Sequence, residues 1–194
     1  MTKTRLEAFS DGVIAILITI LVLELKIPHG TDLSSLAPLW PVFLAYVLSF
    51  VHLGIYWNNH HHMLQATTSI DGRIMWANLN LLFWLSLFPF ATGWMGENYF
   101  APLPTAVYGV VLIMAAISYT TLQWFIVRHH GDDNVTLKEA VGSDLKGKIS
   151  VAVYAAAIPI AFLNQYVACT MYFTVAALWL IPDRRIEKKV QVHE

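Results

Sequence analysis

The chain has 194 residues, of which 57% are hydrophobic and only 13% charged, and its mean hydropathy is +0.55. Soluble domains carry about 25% charged residues, so the polar side chains here are too few to cover a water-facing surface, and lipid is the natural covering. A net charge of −1 offers no electrostatic footprint for nucleic acid, and the lone Cys169 excludes a disulfide framework within one chain.

At about 20 residues per bilayer crossing, the length suits one transmembrane domain over residues 1–194, all-α with six spans. The apolar segments run over about 8–27, 39–64, 73–94, 105–127, 149–163 and 166–181. The first includes a run, Val13 to Leu23, long enough for the core of a signal peptide. It is preceded by Arg5, Glu7 and Asp11 and followed by Glu24-Leu25-Lys26, not by a small-residue cleavage site. In the third, Pro89 predicts a kink in the outer third. The fourth-to-fifth connection is the only sizeable polar loop, with a turn signal at Gly131-Asp132-Asp133-Asn134 and a short surface helix expected from Val135 to Glu139. The last two spans are separated by little more than Asn164-Gln165, which predicts a tight helical hairpin with Pro159 near its turn.

Basic residues set the expected orientation. With six spans, 11 of the 12 Lys and Arg residues fall on one side and Lys26 alone on the other, so both termini are expected in the cytoplasm. Trp40, Trp94, Tyr99 and Phe100 cluster near the outer ends of the spans, and Trp124 and Trp179 near the inner ends, as interfacial aromatic rings do.

Polar groups inside spans call for a reason. Span one opens with Arg5-x-x-x-Phe9-Ser10-Asp11; an acid there complements the helix dipole or belongs to a buried network that locks helix bases together. Span two carries His52, Tyr56, Trp57, Asn59, His60, His61 and His62. Its three consecutive histidines point in three directions, so a regular helix cannot aim them at one ion, and no metal site is expected. Span three carries Trp76, Asn78 and Asn80; Asn78 is a candidate partner for Asp11 or His60. On span one, Ile16, Ile20, Leu23 and Ile27 form a narrow stripe at about 0°, 40°, −20° and 20°, with Thr19 beside it at about −60°. The opposite face (Ile14, Ile18, Leu21, Leu25) is equally apolar, so periodicity does not choose which face meets its own subunit.

Arg5-x-x-x-Phe9-Ser10-Asp11-Gly12, the closing Glu24-Leu25-Lys26-Ile27-Pro28, Tyr56-Trp57-x-Asn59-His60-His61, Trp76-x-Asn78 and Ser86-Leu87-x-Pro89-Phe90 together resemble prokaryotic members of the lysosomal potassium channel family (transmembrane protein 175). The resemblance covers roughly the first half of the chain. It implies a potassium-permeable channel in the prokaryotic cell membrane: a homotetramer with span one of each subunit lining the pore, permeant K⁺ ions and no cofactor. It also implies rings at Ile16, at Thr19 and Ile20, and at Leu23 in place of a carbonyl filter. Arg5, Phe9, Ser10, Asp11, Trp57, Asn59, His60, Trp76 and Asn78 would then hold span one against spans two and three. The competing reading is a proton-coupled secondary transporter using Asp11 and His60, against which no inverted repeat is evident. An enzyme is not expected.

Overall fold

A computed structural model describes residues 2–130 and 145–180; the expected helix from Val135 to Glu139 and the basic cluster Arg184, Arg185, Lys188 and Lys189 lie outside the described residues. The described residues form helices α1 (Lys3–Leu21), α2 (Trp40–Gln65), α3 (Gly72–Ser86), α4 (Phe88–Glu97), α5 (Pro102–His130), α6 (Leu145–Leu163) and α7 (Gln165–Leu180). Two short 3₁₀ segments, Val22–Glu24 and Leu33–Leu39, connect α1 to α2. With α3 and α4 taken together, five segments are long and apolar enough to cross a membrane, and α7 is a shorter apolar helix of 16 residues.

Local chemistry sets the ends of these helices. α1 tightens to a 3₁₀ turn and stops, because Leu25 turns extended (φ −80°, ψ 104°) ahead of Ile27-Pro28. A residue before proline avoids the helical region, and Pro28 has no N–H to continue the ladder. The apolar stripe therefore leaves the helix at its outer end: Leu23 lies in the 3₁₀ turn and Ile27 lies beyond it. In α2, Pro41 occupies the first turn, where a missing N–H costs nothing. Asp71 caps α3 by accepting from the N–H groups of Arg73 (3.0 Å) and Ile74 (2.9 Å), and the Ile74 bond first of all holds its carboxyl below the usual carboxylate range. Pro89 does more than kink its helix: α3 ends at Ser86, and α4 restarts with Pro89 in its first turn. Asn164 separates α6 from α7 and caps the latter, its Oδ1 accepting from Tyr166 N (3.0 Å) and Val167 N (3.2 Å). Pro159 stays inside α6, so the turn comes at Asn164.

The helices alternate in direction, and contacts at each end show which ends are neighbours. Lys3 Nζ donates to the Gln65 carbonyl (3.1 Å), and the Thr68 N–H donates to His130 Nε2 (3.0 Å). At the opposite end Lys26 pairs with Glu97 (2.6 Å), and the Trp40 and Phe100 rings lie 5.9 Å apart. Among the described residues Lys3, Arg5, Arg73, Arg128, Lys146 and Lys148 thus belong to one end of the bundle and Lys26 to the other.

α5 is the central support, packing on α3, α4, α6 and α7, while α1 packs chiefly on α2, α3 and α4. α4 approaches α2 closely: a Cβ at Gly96 would come within 2.7 Å of the Val42 Cα, so only glycine allows this contact. The buried polar groups of this half are paired. Ser49 Oγ meets Thr92 Oγ1 (2.5 Å) and the Tyr108 hydroxyl (2.9 Å), and the Tyr172 hydroxyl donates to the Thr105 carbonyl (3.1 Å). In hydrocarbon no water is available to replace such partners.

Candidate functional site

α1 presents two unlike faces. Leu6, Ser10, Ile14, Leu17 and Leu21 are buried against α2, α3 and α4, and Ile14 and Leu21 are fully so. The other face is open in the protomer: Ile16 is 58% exposed, Ile20 37% and Leu23 75%, with Thr19 also exposed. The choice that periodicity leaves open is made by the neighbouring helices. The Thr19 hydroxyl donates to the Ile16 carbonyl (2.8 Å), so its hydrogen is satisfied within the helix while its oxygen faces outward.

Small residues flank the open stripe. Ala8, Gly12, Ala15 and Thr19 are all exposed, and at helical spacing they lie together at about −40° to −100° from Ile16. Small residues four apart let membrane helices approach closely. The sequence carries this signal as Ala8-x-x-x-Gly12.

Behind the buried face runs a hydrogen-bonded chain across three helices. His60 Nε2 on α2 meets Asn78 Oδ1 on α3 at 2.7 Å, Asn78 Nδ2 donates to Ser10 Oγ on α1 at 2.9 Å, and Ser10 Oγ donates to the Leu6 carbonyl at 2.8 Å. All three side chains are essentially fully buried. The directions follow from counting donors. With the proton on His60 Nε2, every donor atom in the chain has an acceptor, and among the described residues only the lone pair of His60 Nδ1 is left without a partner. The reverse amide orientation would strand an N–H instead, which costs more.

Asp11 is placed apart from this chain. It is half-buried at the edge of α1 and its Oδ1 accepts from Trp57 Nε1 (3.1 Å), so Asn78 pairs with His60 and not with Asp11. Trp57 stacks on His61 at 6.1 Å, and His61 Nδ1 lies 3.8 Å from Glu7. The Asn59 side chain donates to its own helix at Ile55 (2.8 Å), and the Asn59 backbone carbonyl accepts from the Tyr119 hydroxyl (3.3 Å). Phe9 and Trp76 are exposed by 50% and 74%, and the Arg5 side chain is exposed, with no hydrogen bond or ion pair to the described residues. The structure therefore joins Ser10, His60 and Asn78 in one chain and Asp11 and Trp57 in a second contact. Arg5, Phe9 and Trp76 remain outside both.

The other spanning histidine, His52, serves packing. Its Nδ1 bonds the Leu48 carbonyl (2.9 Å) and its Nε2 the Tyr154 hydroxyl (3.2 Å), at the wall of a cavity of about 40 Å³ between α2, α5, α6 and α7. Cys169 is buried among apolar neighbours. No three His, Cys, Asp or Glu side chains come together as a metal site among the described residues.

The family model described as "Endosomal/lysosomal potassium channel TMEM175" matches residues 5–89, which hold nearly all of α1, the buried chain and the start of α4. A protein of Chryseobacterium sp. named a potassium channel is 55% identical over 191 residues, 98% of this chain and 99% of that one. A potassium channel of Streptomyces collinus is 32% identical over 170 residues, 82% of each chain. The crystal structure of a lysosomal potassium-selective channel TMEM175 homolog from Chamaesiphon minutus superposes with a TM-score of 0.80 at 28% identity, over 92% of this chain and 96% of that chain. Seven α-helices among the described residues, an open apolar face on the first of them, the family match and likeness over most of their length to two potassium channels lead to one conclusion: this all-α, membrane-spanning chain belongs to the TMEM175 family of potassium channels.

Proposed function

We propose that this protein is a potassium-permeable cation channel of the prokaryotic cell membrane, with both termini cytoplasmic. Four copies assemble so that their α1 helices enclose the pore. Its constriction is formed by rings of Ile16, of Thr19 with Ile20, and of Leu23. The observation that carries this reading is the open face of α1, apolar and continuous from Ile16 to Leu23, with its opposite face buried in the protomer. One helix cannot enclose a pore, so the reading requires an oligomer, and Ala8, Gly12 and Ala15 beside the stripe give neighbouring α1 helices room to approach.

Hydrophobic rings control conduction by dewetting: when narrow they expel water and block ions, and a small outward movement of α1 rewets them. K⁺ gives up its water more readily than Na⁺, so a narrow apolar ring favours K⁺ modestly, by less than a carbonyl filter does. The buried chain Ser10–Asn78–His60 and the Asp11–Trp57 contact fix the inner half of α1 to α2 and α3, which sets where the rings stand.

One observation favours a second reading, the proton-coupled transporter. The unpartnered, buried Nδ1 of His60 is a free basic site in the membrane region, although His60 and Asp11 are not hydrogen-bonded to each other. Flux into proteoliposomes separates the two. A channel gives K⁺ flux that rises without saturation over the millimolar range, needs no pH gradient, and exceeds Na⁺ flux by a few-fold. Flux that saturates and stops when the pH gradient is collapsed would replace the channel reading with the transporter.

A further inference from the structure

The outer end of α1 is held by a contact that the inner network does not explain. Where α1 tightens into its 3₁₀ turn, the Glu24 side chain lies across α4 at Gly93. A Cβ on Gly93 would overlap the Glu24 carboxylate, coming within 2.9 Å of its Cδ and 3.6 Å of its Cγ, so the carboxylate occupies the volume that any other residue at 93 would fill. Gly93 is itself buried. One turn on, Lys26 pairs with Glu97 of the same helix at 2.6 Å. The salt bridge is solvent-exposed and therefore weak by itself. The seat on Gly93 differs, because it is a matter of shape: a side chain at 93 would displace the Glu24 carboxylate from where it rests.

We infer that Glu24 seated on Gly93 is the positioning element for Leu23, the outermost of the proposed pore rings. Leu23 and Glu24 are consecutive in a three-residue 3₁₀ turn, beyond the last α-helical hydrogen bonds, so the direction of Leu23 is not dictated by the helix. Anchoring Glu24 sideways on α4 turns Leu23 the other way, and Leu23 is 75% exposed. α4 starts afresh at the Pro89 break, so a shift of this short helix relative to α3 would carry Glu24 with it and swing Leu23 about the end of α1. The inner rings at Ile16 would be left in place. The inference rests on the pore reading but concerns only its outer ring.

The test is the rate at which a neutral, water-soluble thiol reagent blocks K⁺ current through Leu23→Cys and, separately, Ile16→Cys channels. Each is measured alone and combined with Gly93→Ala, Glu24→Ala, Glu24→Gln or the double variant Gly93→Ala/Glu24→Ala. A neutral reagent removes the effect of charge at the mouth. Gly93→Ala and Glu24→Ala should each change the Leu23→Cys rate about tenfold or more and leave the Ile16→Cys rate within twofold. Glu24→Gln, which keeps the shape, should stay near the unsubstituted rate. Adding Gly93→Ala to Glu24→Ala should have no further effect, since the clash is already gone. Equal Leu23→Cys rates in all backgrounds would overturn the positioning role, as would a Glu24→Gln effect as large as that of Glu24→Ala. If Gly93→Ala does not assemble, the Glu24→Ala and Glu24→Gln pair decides the matter alone. Absence of block at Leu23→Cys in every background, with current intact, would instead overturn the pore reading at that ring.

Discussion

Replacing Ile16 by asparagine is expected to raise K⁺ current about tenfold and to bring K⁺ and Na⁺ permeabilities close to equal. Ile16 is 58% exposed on α1 and opposite the buried face, so the substitution should leave the protomer's packing intact. In the proposed tetramer, four amides in place of four sec-butyl side chains let water stay in the constriction, which removes much of the dewetting barrier. A tenfold gain corresponds to about 1.4 kcal/mol off that barrier. The K⁺ preference should fall for the same reason, because an ion that keeps its water is no longer sorted by how firmly it holds it. Single-channel recording in planar bilayers reads both quantities. If the Ile16 face met lipid instead, the same change would put an amide into hydrocarbon and leave conductance and selectivity untouched.

Asn78→Leu should have the largest effect on stability. Asn78 is fully buried and bonds both His60 and Ser10, and leucine of similar volume removes both partners at once. The stranded His60 N–H costs about 1–3 kcal/mol, which for a chain of this size lowers the thermal midpoint by about 2–4 °C per kcal/mol. Trp57→Phe is the matched control: it removes one hydrogen bond to Asp11 at an exposed edge, and its effect should stay below about 1 kcal/mol. Thermal unfolding of both variants in detergent measures the difference. An Asn78→Leu midpoint equal to that of the unsubstituted protein would remove the chain from the account of how α1 is held.

Much of the fold was legible in the sequence because a bilayer imposes simple rules. The apolar segments and the turn at Asn164 follow from hydropathy and from backbone chemistry, while Pro89, which reads as a kink, ends one helix and starts another. The end of α1 did not, because the apolar pattern runs on through Leu25 and Ile27 while the backbone turns extended before Pro28. The stripe therefore extends past the end of the α-helix, to Leu23 and Ile27. The choice of face on α1 was also out of reach, since both faces are apolar and only contact with α2, α3 and α4 separates them. Within the candidate site, Asn78 was readable as a partner of either Asp11 or His60, and geometry selects His60. Arg5 looked like a member of the buried network because it belongs to the motif, yet its long side chain is exposed in the protomer. The seat at Gly93 left no trace in periodicity. It is a contact between one residue's side chain and another residue's lack of one, 69 positions away in the chain, and only the packed structure brings them together.

The central claim is that the open face of α1 meets water in a pore and not lipid. It is tested most directly by exposing Ile16→Cys channels, and Phe162→Cys channels as a control on α6 away from the α1 face, to a membrane-impermeant thiol reagent during K⁺ recording. Phe162 is 58% exposed, the same as Ile16, so exposure in the protomer is matched. The buried Cys169 provides the background without an introduced thiol. The account predicts rapid, near-complete block at Ile16→Cys and none at Phe162→Cys. Intact current through treated Ile16→Cys channels would contradict it.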